Sequence, residues 1–70
     1  MKVLSNMSGL ISEIRVKEGG TVQSGDVVAI IESMKMLVDV KSEGAGVITK
    51  VICQLEEFVQ EGQLLFELED

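Results

Sequence analysis

Apolar and polar residues alternate along most of this 70-residue chain, in short runs broken by Gly, Ser, Asn and Asp. Alternation with period two is the signature of a strand with one buried face. It predicts strands over 2–7, 10–16, 21–22, 27–32, 36–41, 47–53, 58–59 and 64–69. Val27-Val28-Ala29-Ile30-Ile31 is unbroken and reads as a strand buried on both faces, whereas Met36-Leu37-Val38-Asp39-Val40-Lys41 alternates. Parity points Ile14 and Val16 inward, with Arg15 and Lys17 outward. By the same parity Val51, Cys53 and Leu55 point inward. Frequent Val and Ile, and seven Gly at short spacings, favour an all-β chain.

One segment competes with that reading. Ile48, Val51, Ile52, Leu55, Phe58 and Val59 also lie at helical spacing, with Gly62 placed to cap a helix. An internal repeat settles the matter. At an offset of 37, Val3 falls on Val40, Ser5 on Ser42, Gly9 on Gly46, Ile11 on Ile48, Val22 on Val59, Gln23 on Gln60, Gly25 on Gly62 and Glu32 on Glu69. The counterpart of the ambiguous segment holds Gly19-Gly20 with Val16, Thr21 and Val22, a poor helix former. Both copies are therefore read as strands, and the unit of structure is a half-chain used twice. The expected architecture is a flattened barrel or sandwich of two four-stranded antiparallel sheets with pseudo-two-fold symmetry. The joint between the copies is Met34-Lys35; its counterpart falls just beyond Asp70. Hairpin tip and chain termini are thus expected at opposite ends of one domain, residues 1–70.

A chain this small has a thin core and usually needs a staple. One Cys and no His exclude an internal disulfide and any His-bearing metal site. Packing is almost wholly aliphatic, with two Phe and neither Trp nor Tyr. Cys53 aligns with Val16 and reads as a small core hydrophobe rather than a reactive thiol. A net charge of −6 without basic or aromatic clusters argues against nucleic acid and anionic lipid as partners. The apolar start Met1-Lys2-Val3-Leu4 stops at Ser5-Asn6, and no segment is long enough to span a membrane. A cytoplasmic location is the simple reading, with Met1 opening a short complete chain. The carboxylates Glu56, Glu57, Glu67, Glu69 and Asp70 read as a solvated face.

The chemistry concentrates at Glu32-Ser33-Met34-Lys35-Met36. A two-residue hairpin turn needs positive φ, and therefore Asn, Asp or Gly. Here the turn carries Met34 and Lys35. Local rules are most often broken where a site requires it, and what this turn presents is one amine between two methionines. Adaptable Met side chains suit recognition. Core packing is the competing role for both, and strand parity favours it more for Met36 than for Met34.

This pattern resembles the biotinyl/lipoyl attachment domains, closest to the short stand-alone biotin/lipoyl attachment proteins. In that resemblance Lys35 matches the lysine that takes the cofactor, Met34 and Met36 flank it as in biotin carriers, and Glu32 and Ser33 lie where the modifying ligase reads the hairpin. Gly9, Gly25, Gly46 and Gly62 match structural glycines, required for positive φ or close backbone approach. The chain departs from the family pattern at Glu56, where Gly is usual, at Glu43, where Pro is usual nearby, and at Leu37, which replaces a frequent acidic residue. The short connection after Val16 leaves no room for the extra loop of some carrier domains.

The resemblance implies a biotin carboxyl carrier. A biotin protein ligase would join biotin to Lys35; a biotin carboxylase would load carboxylate on the arm; a carboxyltransferase would receive it. The chain would be a substrate and swinging-arm carrier, not an enzyme, and a monomer in isolation. Tethering raises the effective concentration of the cargo at each partner. A lysine amine is protonated at neutral pH, so the ligase must supply the base and the desolvation. Two alternatives stand beside this: lipoate on Lys35 serving acyl transfer, which the modification found there distinguishes, and an unmodified adaptor, for which Lys35→Ala would leave function intact.

Overall fold

The computed structural model describes residues 1–70 and contains eight strands and no helix. They are β1 (Lys2–Leu4), β2 (Gly9–Ile14), β3 (Thr21–Val22), β4 (Val27–Ser33), β5 (Met36–Lys41), β6 (Gly46–Val51), β7 (Phe58–Val59) and β8 (Leu64–Glu69). The segment with helical spacing is β6, a turn and β7. With no helix at all, none is long and apolar enough to cross a membrane.

The strands form two antiparallel four-stranded sheets, ordered β1-β8-β6-β3 and β5-β4-β2-β7. An offset of 37 carries β1 to β5, β2 to β6, β3 to β7 and β4 to β8, so it carries one sheet order onto the other. The halves are interleaved. Each sheet takes two central strands from one half and two edge strands from the other. Neither half can therefore bury its own apolar face, and the two must fold together.

The repeat is legible in individual hydrogen bonds. Buried Ser5 donates its Oγ–H to the Met7 carbonyl at 2.5 Å, and buried Ser42 donates to that of Gly44 at 2.6 Å. These side-chain turns end β1 and β5, which is why β1 stops at Leu4 instead of running to Met7. Bulges interrupt β2 at Ser12 and β6 at Thr49, where the hydroxyls donate to the carbonyls of Ile30 and Glu67 at 3.2 and 3.1 Å. The amides of Gly25 and Gly62 donate to the carbonyls of Ser42 and Ser5 at 2.7 and 2.8 Å, crossing from one half to the other. Both glycines hold positive φ, 92° and 89°.

The core is a cluster of 13 buried residues drawn from both sheets, with Phe66, Ile11, Ile31, Ile48, Leu65 and Leu68 its largest members. Each fully buried aliphatic side chain of this size contributes about 2 kcal/mol. Cys53 lies in this cluster, 4% exposed, as its alignment with Val16 predicts. Burial pushes the Cys53 thiol above the ordinary range; its own backbone N–H partly offsets this, and the Glu57 charge adds to the rise. Leu55 departs from expectation. It is 60% exposed, because β6 ends at Val51 and Leu55 falls in the turn whose counterpart holds Glu18. Inward parity persists past the end of β6 to Cys53 and is lost where the chain enters the turn at Leu55.

Gly9 and Gly46 serve close approach. A methyl at Gly9 would lie 2.5 Å from the Glu32 carbonyl oxygen and 2.7 Å from Ile31 Cγ2. One at Gly46 would collide with the Glu69 carbonyl oxygen and lie 2.8 Å from Leu68 Cδ1. Gly9 thus lets β2 press against the last residues of β4, just before the chain turns into β5.

Candidate functional site

β4 and β5 form a six-pair hairpin whose final pair is Ser33 with Met36. Only Met34 and Lys35 remain to turn the chain. Their φ values are 51° and 69°, the left-handed pair that a tight two-residue turn demands. For side chains other than Gly this conformation costs roughly 1–2 kcal/mol per residue. The turn is therefore built against local preference, as its composition predicts.

Both side chains at the turn are exposed, Met34 by 93%. The Lys35 amine has no hydrogen bond or ion pair within the chain; the single ion pair of the molecule joins Arg15 and Glu13 at 3.3 Å. Nothing holds the amine back from a visiting enzyme.

Met36 decides between its two expected roles. Its parity is that of Val38 and Val40, so it belongs to the inner face of β5. Burial fades along that face, from Val40 at 2% exposure, through half-buried Val38, to Met36 at 66%. On β4 the same fade runs from fully buried Ile31 to half-buried Ser33. The hairpin outruns the opposing sheet, so its inner face has nothing to pack against at the tip. The core role for Met34 and Met36 is overturned, and both methionines stand open beside Lys35.

Glu32 is exposed and lies opposite Leu37, itself 66% exposed. All five residues of the predicted site thus meet in one short hairpin, Glu32 on its outer face and Ser33 and Met36 on its inner one. The sequence reading passes over Leu10 and Phe58, which the register brings level with Glu32 on the same outer face. The signal available was the repeat, which pairs Phe58 with Thr21.

A family model described as "Biotin-requiring enzyme" matches residues 1–68. The chain belongs to the biotin/lipoyl attachment family. It is 37% identical over 68 residues to the Biotin/lipoyl attachment protein of Bacillus subtilis, covering 97% of this chain and 93% of that one. It is also 37% identical over 68 residues to the Biotin carboxyl carrier protein of acetyl-CoA carboxylase from Solanum lycopersicum, covering 97% of each. Among solved structures, the urea carboxylase of Kluyveromyces lactis superposes with a TM-score of 0.91 at 26% identity, over 99% of this chain but 6% of that one. The two-sheet sandwich read from the repeat is thus the fold of this family.

Proposed function

We propose that this chain, as one attachment domain over residues 1–70, is a biotin carboxyl carrier and that Lys35 is its point of attachment. The observation that carries this reading is the tip itself: two residues held at positive φ against their preference, with a free amine at the apex. The lysine amine would attack the carbonyl of a biotinyl adenylate, forming the amide and releasing AMP, with the proton leaving to a base of the biotin protein ligase. Biotin, once attached, supplies a carboxylate-carrying arm between a biotin carboxylase and a carboxyltransferase. The chain's own share is to hold Lys35 clear of the sandwich and to leave Met34, Met36 and Glu32, with half-buried Ser33 beside them, within reach of the ligase. It catalyses none of these steps. Free, buried Cys53 suits a reducing compartment such as the cytoplasm.

The test is the intact mass of the chain after co-expression with a biotin protein ligase, beside Lys35→Ala. A biotinyl addition on the wild type that vanishes in the variant is expected. A lipoyl addition under a lipoyl ligase, with no biotinyl addition, would move the chain to acyl transfer. No addition under either ligase would favour an unmodified adaptor.

A further inference from the structure

The outer face of the sheet that carries the tip bears an apolar row. Phe58 on β7 pairs with Leu10 on β2, Leu10 pairs with Glu32 on β4, and Glu32 pairs with Leu37 on β5. Directly paired residues project from the same face. Their neighbours Ile11, Ile31 and Val59 are fully buried, so this face is the outer one. Phe58 is 60% exposed, Leu10 44% and Leu37 66%. The row spans about 14 Å across four strands, with one carboxylate, Glu32, inside it.

The other sheet supplies a comparison within the molecule. The offset carries Phe58 to Thr21, Leu10 to Val47 and Glu32 to Glu69, and these three are again paired across their strands. That row is more polar: Thr21 stands in place of Phe58, and Leu37 has no counterpart. The same backbone thus forms without Phe58 or Leu37. The other sheet exposes Leu4 and Val47 but no aromatic side chain, so the exposure of Phe58 and Leu37 serves something other than the fold.

We propose that the row Phe58–Leu10–Glu32–Leu37 is the docking surface for the enzyme that acylates Lys35, an enzyme presenting an apolar surface with a cationic side chain opposite Glu32. This rests on the attachment reading above. Two observations select that occupant. The row lies one residue pair from the Ser33–Met36 pair that closes the turn. An enzyme that bonds the Lys35 amine must bring its reacting centre to the tip, and its surface then lies against the adjacent pairs; a partner working at the far end of the loaded arm can stand off by the arm's length. The row is also too small for a stable dimer, which buries about 1,600 Å² in total, and suits a transient encounter with a few anchoring residues.

The experiment measures steady-state biotinylation of the purified chain by a biotin protein ligase with biotin and ATP. Phe58→Thr and Leu37→Ser are each expected to lower kcat/KM about tenfold, chiefly through KM. Val47→Thr, on the other sheet, is expected to stay within twofold. Glu32→Gln is expected to flatten the dependence of KM on salt. Chemical acylation of Lys35 by an N-hydroxysuccinimide ester of biotin should proceed equally in all variants, which separates docking from access to the amine. Leu37 lies exposed on an edge strand, so Leu37→Ser tests the proposal should Phe58→Thr fold poorly. If the wild type is biotinylated and both variants stay within twofold of it, the row does not dock the ligase and the proposal falls alone. If the variants differ only after loading, in turnover by a carboxylase, the occupant is wrong. A dimer in sedimentation that Phe58→Thr disperses would likewise assign the row to a second copy. Failure of the wild type to take biotin removes the attachment reading and this proposal together.

Discussion

Gly19 and Glu56 occupy the same place in the two halves, and so test what a left-handed residue requires. Both hold positive φ, 87° and 66°. The Gly19 amide donates to the Ile48 carbonyl at 2.8 Å, and that of Glu56 donates to Ile11 at 2.7 Å. A hydrogen bond to the central strand fixes each turn whatever its side chain, so Glu56 is held where glycine would be unstrained. The β4–β5 tip is the contrasting case. Met34 and Lys35 are left-handed with no such bond from either amide, and only the pairing of the flanking strands closes the turn. Strain at Glu56 is imposed by a tertiary contact and presents nothing. Strain at the tip lifts an amine away from the body of the protein, which is where a site belongs.

Five variants sharpen this comparison. The largest effect is expected at the paired close approaches. Gly9→Ala and Gly46→Ala should each destabilise by about 3 kcal/mol, since the added methyl meets backbone oxygen in both places. Urea midpoints that fall together would support equivalent crossings; a loss at one alone would show that the halves are not energetically alike. Next comes the tip. Replacing Met34 with Asn and Lys35 with Gly installs the turn sequence the backbone prefers, and should stabilise by about 2 kcal/mol while abolishing biotinylation. A thermal midpoint that does not rise would mean the tip is not strained. Glu56→Gly should stabilise by about 1 kcal/mol, with Gly19→Ala losing a similar amount; chemical denaturation of both reads whether the pair is equivalent.

The smallest effect concerns Cys53, whose counterpart is Val16. The native thiol titrates above its unfolded value because it is buried. Its contribution to stability is therefore fully present below the unfolded pKa, about 8.5, and is lost as pH rises through the raised native value. Stability should decline above about pH 9, and Cys53→Val should remove part of that decline. A wild-type stability profile that is flat through this range would contradict it.

Much of this was legible in the sequence because alternation is local and the repeat can be found by comparing the chain with itself. Alternation located eight strands, and the offset of 37 decided strand over helix for the segment from Ile48 to Val59, which its own spacing left ambiguous. The tip was legible because Met34 and Lys35 stand where the turn demands other residues. What the sequence could not determine is what lies above each face. Alternation assigns a side chain to one face of its own strand, but whether that face is covered depends on how far the opposing sheet reaches. Met36 has inner parity and is exposed because the hairpin outruns its cover; Leu55 has inner parity and is exposed because the chain has turned there. The interleaving of the halves, the collisions that reserve Gly9 and Gly46 for glycine, and the row of Phe58, Leu10 and Leu37 arise between strands distant in the chain. Pairing register sets them, and register is a property of the folded sheet rather than of any one strand.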